Sequence, residues 1–192
     1  YLPSPNDVGY THGYNVADHD IEETRKPEDE EAFSALAFKI ITDPFVGRLT
    51  FIRIYSGSIK AGEQLYNVTN DKKERAGKIM RMSANKREEL EAAYAGDIVA
   101  IPSMRFTRTG DTLCDQKRPL LLESISFSDP VINQSVEART LADQDKLTES
   151  LHRLSEEDPT FRFHTDAESG QIIISGVGEL HLEILVDRLK RE

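Results

Sequence analysis

The sequence contains one cysteine, no long apolar run and no leader segment, and each absence excludes a class of protein. Cys114 has no second cysteine with which to form an internal disulfide, which fits a reducing compartment and predicts a cytoplasmic protein. No apolar stretch approaches the roughly 20 residues that a membrane helix needs, and the start lacks the regions of a signal peptide. The chain begins Tyr1-Leu2-Pro3 without a methionine, so we expect a piece of a longer protein.

Motifs for nucleotide binding, metal binding and catalysis are also missing. No G-x-x-x-x-G-K-[ST] loop is present, so nothing in the chain can hold a nucleoside triphosphate in the usual way. Gly176-x-Gly178 lacks the third glycine of a dinucleotide fingerprint and is better interpreted as a tight turn. Glu179 and His181 project about 200° apart around a helix, so together with Glu183 they cannot converge on one ion. We therefore predict no catalytic residue, no metal and no cofactor in this chain.

The net charge of −10 is unevenly distributed. Residues 1–31 hold nine acids against two basic residues, residues 32–118 hold fifteen basic residues against ten acids, and residues 119–192 hold seven against fifteen. A basic middle between acidic ends indicates at least two units with different partners.

The basic middle contains a dense cluster with Glu74 as its one acid. Its members are Lys72, Lys73, Arg75, Lys78, Arg81, Lys86 and Arg87. Such a cluster on a barrel can follow an RNA backbone by neutralising phosphates, which makes these seven residues candidate RNA contacts. A solvated basic hairpin explains the same composition, and the cluster has no interleaved aromatic residue for base stacking. Composition alone leaves both interpretations open.

The pattern of short apolar runs predicts an α+β chain with two domains. Residues 1–31 are interpreted as a linker and an exposed acidic loop, because they are rich in Pro, Gly and acids and have no sustained period. Residues 32–118 carry many short strand-like runs separated by glycine turns, which predicts a β-barrel. Residues 119–128 are interpreted as a connecting strand or tether. Residues 129–192 follow the order β-α-β-β-α, a ferredoxin-like unit without its last strand.

The last predicted helix, within Gly176–Lys190, has two candidate contact faces. At about 100° per residue, one stripe suits packing on a sheet and consists of Leu182, Leu185, Val186 and Leu189. A flank beside it carries His181, Ile184 and Arg188. Spacing alone slightly favours the simpler interpretation, in which Arg188 is a solvated helix charge and His181 a partly buried filler.

Several stretches together resemble elongation factor G of the bacterial type. They are the opening YLPSP, DPFVGRLTFIRIYSGSIKAGEQLYN (43–67), KERAGKIMRMSANKREELEAAYAGDIVAI (73–101), DPVINQSVEARTLADQDKL (129–147) and LSEEDPTFRFHTDAESGQIIISGVGELHLEILVDRLKRE (154–192). The resemblance implies that residues 1–5 end a GTPase domain, that the barrel is a second domain like that of elongation factor Tu, and that the ferredoxin-like unit is the third domain. Residues 101–111, IPSMRFTRTGD, depart from the family's usual Gly-rich, Lys-containing version.

The resemblance also implies a function, partners and a site. The parent would be a ribosomal translocase whose GTPase domain binds GTP and Mg²⁺. Its non-catalytic domains would contact small-subunit RNA and protein, with the basic cluster as candidate ribosomal RNA contacts. The positions that match the surface facing the GTPase switch region, and bordering the fusidic acid pocket, are Pro130, Asp158, Thr160, His181, Leu185 and Arg188. We expect the chain itself to be monomeric and to contact its own GTPase domain and later domains.

Other interpretations stay open. The parent is either the main translocase or a ribosome-recycling paralogue. From the residues alone, a free-standing RNA-binding module is a competing hypothesis, and a small ferredoxin-like hydrolase a weaker one. An RNA-binding module would bind structured RNA with strong salt dependence.

Overall fold

The computed structural model describes residues 5–18, 20–43, 45–84, 86–123 and 125–191. The chain divides into two compact units, Tyr1–Ile125 and Ser126–Glu192. The prediction that residues 1–5 end a GTPase domain falls mainly on residues 1–4, which lie outside the described residues. No helix of the described ranges is both long and apolar enough to cross a membrane.

Within its described residues, the first unit forms one short helix, α1 (Pro5–Val8), and thirteen strands. In chain order the strands are β1 (Thr11–Tyr14), β2 (Glu22–Arg25), β3 (Ser34–Asp43), β4 (Gly47–Ser56), β5 (Ser58–Lys60), β6 (Gln64–Asn67), β7 (Lys72–Arg75), β8 (Ile79–Ser83), β9 (Lys86–Leu90), β10 (Ala92–Tyr94), β11 (Ile98–Pro102), β12 (Thr112–Cys114) and β13 (Leu121–Leu122).

Eight of these strands form a barrel. They pair antiparallel in the order β7-β6-β12-β3-β4-β11-β8-β9. Leu65 of β6 and Ile79 of β8 come from opposite parts of that order, yet both lie in one hydrophobic core. A flat sheet cannot bring both of its ends onto one core, so the sheet is rolled. The predicted β-barrel is confirmed.

A bulge in β3 changes the expected alternation of side chains. Strict alternation along β3 would place Leu36, Phe38 and Ile40 on one face of the strand. The pairing of β3 with β4 shifts register between Ala37 and Lys39, so Ala35 and Ala37 face the core before the shift and Ile40 faces it afterwards. An extra residue in one strand bends the sheet and increases its twist, which helps a small barrel to close.

The interpretation of residues 1–31 as a linker and loop is wrong over residues 11–25. Strands β1 and β2 form a hairpin, and β13 adds to it in the sheet order β13-β1-β2. Gly13 allows this pairing because a Cβ there would lie 2.7 Å from both Leu120 Cγ and the Leu121 carbonyl oxygen. The strands THGY and EETR carry few apolar residues. Their pairing with β13, about a hundred residues later, leaves no local pattern in the sequence.

The second unit has the predicted β-α-β-β-α order. Its elements are β14 (Ile132–Val136), α2 (Leu141–Glu157), β15 (Arg162–Thr165), β16 (Ile172–Gly176) and α3 (Glu179–Leu189). Strand β16 lies between β14 and β15 and is antiparallel to both. Strands β14 and β15 are therefore parallel and joined through α2, which is the split βαβ arrangement.

Both helices cover one face of this sheet with their apolar stripes. The core consists of Leu151, Leu154, Phe161, Ile174, Leu182 and Leu185. Burying each large side chain contributes about 1.5–3 kcal/mol. Helix α2 ends at Glu157 because Pro159 disfavours a helical conformation at Asp158, whose backbone is extended.

Candidate functional site: the end of the second unit around the last helix

The turn from β16 into α3 requires a glycine at its first position. A Cβ on Gly176 would lie 2.7 Å from Leu182 Cδ2 and 2.8 Å from His181 Nδ1. Such contacts are closer than packed carbon atoms accept, so any larger residue would displace the imidazole or the leucine. Gly178, by contrast, has open space around its Cα and an extended backbone. Gly176 therefore lets the side chains of α3 pack directly against the end of the strand.

Helix α3 has a core face and an outer face, as the periodicity predicts. Leu182 and Leu185 are buried against the sheet. On the outer face Leu180 is 68% exposed and Ile184 54% exposed. These two residues are four positions apart, so they are neighbours on the helix surface. Leu180 is not among the contact residues predicted from the sequence, although its spacing from Ile184 identifies it.

Leu185 differs from the other predicted positions, because its side chain packs in the core of its own unit. The physical reason is its spacing from Leu182, which puts both residues on the stripe that packs on the sheet. Its place on the surface facing the GTPase switch region, which the resemblance implies, stays a prediction.

Asp158, Thr160 and His181 form one hydrogen-bonded network. His181 Nε2 lies 2.8 Å from Asp158 Oδ2, and the Val177 N–H donates to His181 Nδ1 at 3.2 Å. Because Nδ1 accepts, the imidazole tautomer that carries its proton on Nε2 satisfies both contacts. Asp158 Oδ1 accepts from the Thr160 N–H at 2.8 Å and from the Thr160 hydroxyl at 2.6 Å. The network thus joins the end of α2, the turn after β16 and the first turn of α3.

This network keeps Asp158 charged. Burial of the carboxyl opposes its charged form, but the hydroxyl and N–H of Thr160 and the contact with His181 outweigh that effect and hold the pKa of Asp158 below its ordinary value. The charged carboxylate accepts a hydrogen bond from the Nε2–H group of His181 and so fixes the orientation of the ring. The imidazole is therefore an oriented group.

Arg188 and Pro130 lie at the same end of the unit. Arg188 Nη2 lies 2.9 Å from Glu157 Oε2, one residue before Asp158. The Val131 N–H, directly after Pro130, donates to the Gly176 carbonyl at 2.9 Å. The structure therefore brings five of the six positions to one end of the unit, and buries the sixth, Leu185.

The imidazole and the guanidinium both remain accessible. The His181 side chain is 19% exposed and the Arg188 side chain 47% exposed. Neither is sealed inside its own unit, so this end can meet another domain or a small molecule through an apolar pair, a guanidinium and the edge of an oriented ring.

The basic cluster of the first unit is exposed, and three of its seven members form ion pairs with acids. Lys78 lies 2.9 Å from Glu89, and Arg87 lies 2.6 Å from Asp43. Arg81 lies within 4 Å of both Glu88 and Asp97. Arg75 donates to the Gly62 carbonyl. The cluster identified from sequence ends at residue 87, so it omits Glu88 and Glu89 of β9, which pair with its members.

Four members of the cluster keep an unneutralised charge. Among the described residues, Lys72, Lys73, Arg75 and Lys86 are exposed and have no ion pair. Glu74 does not offset them at the surface, because its carboxylate is buried and accepts hydrogen bonds from residues 105–107. The candidate RNA contacts are therefore concentrated on these four residues.

No group of three or more His, Cys, Asp or Glu side chains in the described ranges could hold a metal ion. Cys114 is buried, and burial raises the pKa of its thiol, which leaves it in the unreactive protonated form. The described residues thus offer contact surfaces and no arrangement for metal or thiol chemistry.

Comparisons with known proteins agree with this architecture. Residues 32–116 match the family model described as Elongation factor G domain 2, and residues 127–192 match that described as Elongation Factor G, domain III. A crystal structure of a protein from Thermus thermophilus has a TM-score of 0.74 and 26% sequence identity over 87% of this chain. The alignment covers 26% of the Thermus chain, so this chain spans about a quarter of that protein. The two matched regions follow the two units of the structure, and the chain belongs to the elongation factor G family of translation factors, of which it carries the second and third domains.

Proposed function

We propose that this chain is the non-catalytic, ribosome-contacting part of a translocase. In this proposal a GTPase domain of the full-length protein binds GTP and Mg²⁺ in the cytoplasm. The second and third domains contact small-subunit RNA and protein, and they couple GTP hydrolysis to movement of transfer RNA and messenger RNA. Membership of the elongation factor G family supports this proposal, as does the lack of any nucleotide-binding motif in the chain itself.

The outer face of α3 is the observation that carries the proposal. Single exposed apolar residues are ordinary, but here Leu180 and Ile184 lie side by side next to an oriented imidazole and a half-exposed guanidinium. Apolar side chains beside arginine are typical of protein interfaces. A face of this kind suits contact with the GTPase domain, whose nucleotide state it would sense.

The network around Asp158 explains how such a contact can transmit a signal. A coupling element has to contact its partner differently in two states, and the coupling free energy equals that difference. Because Asp158 and the Val177 N–H hold His181 from two sides, the start of α3 cannot rotate without breaking a hydrogen bond. A contact made on α3 is therefore passed to the end of α2 as a rigid movement.

Replacing Arg188 with Ala in the full-length protein tests this role. The Arg188 side chain is 47% exposed and the Glu157 side chain 14% exposed, so the pair is partly screened by water and should contribute about 1 kcal/mol. The melting temperature should therefore change little. Ribosome-stimulated GTP turnover should fall clearly, because the guanidinium acts in the interdomain contact. Lys190→Ala is the matched control, since Lys190 is an exposed cation at the end of the same helix with a longer pair to Asp187. Normal turnover in Arg188→Ala, with a large loss of stability, would refute the coupling role.

A further inference from the structure

The loop between β11 and β12 exposes an aromatic ring between two cations. Its sequence over residues 105–108 is Arg-Phe-Thr-Arg. Phe106 is 49% exposed, and both arginines are exposed. Within the described part of the chain neither guanidinium has an ion pair. Two free positive charges and a solvated ring therefore stand within four consecutive residues.

A buried carboxylate fixes the backbone of this loop from below. Glu74 of β7 is only 8% exposed. Its Oε2 accepts from the Arg105 N–H at 2.6 Å, and its Oε1 accepts from the Phe106 N–H at 3.0 Å. Oε1 also accepts from the N–H and the hydroxyl of Thr107, each at 2.6 Å. Three successive residues of the loop are thus tied to one side chain.

Further contacts fix the same loop from its sides. Asp111 accepts from the Arg108 N–H at 2.8 Å, and the Asn70 side chain donates to the Phe106 carbonyl at 2.9 Å. The Arg48 guanidinium donates to the carbonyls of Arg105 and Thr107. The loop is bounded by two left-handed residues, Ser103 with φ 61° and Gly110 with φ 96°. Its shape is thus held by groups from β4, the β6–β7 turn and β7.

A loop held so firmly presents its exposed side chains at little entropic cost on binding. Alternating cations and an aromatic ring match an unpaired nucleotide and its phosphates, because any base can stack on the ring while the charges neutralise the backbone. Lys72, exposed two residues before Glu74 on the same strand, adds a third cation nearby. The basic cluster predicted from sequence has no aromatic residue, and this loop supplies one.

We propose that residues 105–108 form an RNA-contact element, in which Phe106 stacks on an unpaired base and Arg105 and Arg108 neutralise the adjacent phosphates. The inference rests on the proposed function, which supplies ribosomal RNA as the partner.

Equilibrium binding of the 192-residue chain to purified small ribosomal subunits, measured at several salt concentrations, tests the element. Phe106→Ala should weaken binding by about 5- to 150-fold, the range for losing one stacked base. Arg105→Gln and Arg108→Gln should each lower the slope of log affinity against log salt by about one. Tyr94→Ala and Lys60→Gln change an exposed tyrosine of β10 and an exposed lysine of β5, two strands that pair outside the eight-stranded barrel, and should bind like the original chain. Melting curves of all variants should coincide, because the replaced side chains are exposed.

The chemical class of the partner is tested by placing the photoreactive residue p-benzoylphenylalanine at position 106 and irradiating the complex. A cross-link to RNA supports the proposal, and a cross-link to a ribosomal protein overturns it. If the original chain binds the subunit and the three loop variants bind equally well, the RNA-contact element is wrong while the proposed function stands. If the original chain fails to bind the subunit at low salt, both are overturned.

Discussion

Replacing Glu74 with Gln should destabilise the barrel far more than replacing any surface acid. The substitution keeps the shape of the side chain and one carbonyl oxygen. The Oε1 position can therefore still accept from Phe106 and Thr107, but the new NH₂ group faces the Arg105 N–H, so two donors oppose each other. The remaining bonds also lose the strength that a charged acceptor gives them.

The magnitude follows from these contacts. A hydrogen bond to a charged group contributes about 1.5–3 kcal/mol, and leaving a buried donor unsatisfied costs about 1–3 kcal/mol. Losing one bond and weakening three should therefore cost about 2–4 kcal/mol in the free energy of unfolding of the first unit. For a unit of this size, the melting temperature should fall by roughly 10 °C.

Thermal unfolding followed by circular dichroism, together with hydrogen exchange of the peptide covering residues 103–111, measures both parts of this effect. Exchange at the Arg105 amide should accelerate first, because that amide loses its acceptor. Glu89→Gln is the matched control: Glu89 pairs with Lys78 at the surface and should contribute about 0–1 kcal/mol. If Glu74→Gln melts with Glu89→Gln and its loop amides exchange at the original rate, Glu74 does not hold the loop.

Two further outcomes concern the second unit. Gly176→Ala should destabilise it by about 1–3 kcal/mol, because the new Cβ would meet Leu182 and His181, whereas Gly178→Ala should melt like the original chain; equal melting of the two variants would contradict the close approach. Because folding lowers the pKa of the Asp158 carboxyl, its charged form stabilises the fold at any pH above the pKa that this carboxyl has in the unfolded chain. This stabilisation should be lost as the pH falls below about 3.8. Asp158→Asn should be less stable than the original chain at pH 7, and its melting curves should lack this acid-dependent loss.

The sequence predicted those parts of the structure that depend on local spacing. Leu182, Leu185, Val186 and Leu189 recur at the period of a helix, so the core face of α3 could be identified without coordinates. The end of α2 could be predicted for a similar reason, because Pro159 acts on its immediate neighbour. Short-range geometry determines both features.

Features that depend on distant pairing could not be predicted. The hairpin of β1 and β2 pairs with β13, and no sequence pattern in either segment predicts this pairing. Glu74 looked like the one acid in a basic surface, yet it is buried because its acceptors are needed 31 to 33 residues later in the chain. The charges counted over residues 72–87 therefore describe the composition of this segment but not the net charge of its surface.

Glu74 and Asp158 serve the same physical purpose in the two units. Each is a carboxylate that accepts several hydrogen bonds, at least one of them from a different segment of the chain. Each also lies behind exposed groups that could contact a partner: the ring and guanidinium groups of residues 105–108, and the outer face of α3. Fixing a surface in this way lowers the entropy lost on binding, and it makes a contact on that surface move the whole unit. Under the proposed function, a domain between a nucleotide switch and an RNA needs both properties. A flexible surface would change its own conformation when the nucleotide state changes, and the coupling free energy between the two sites would be lost.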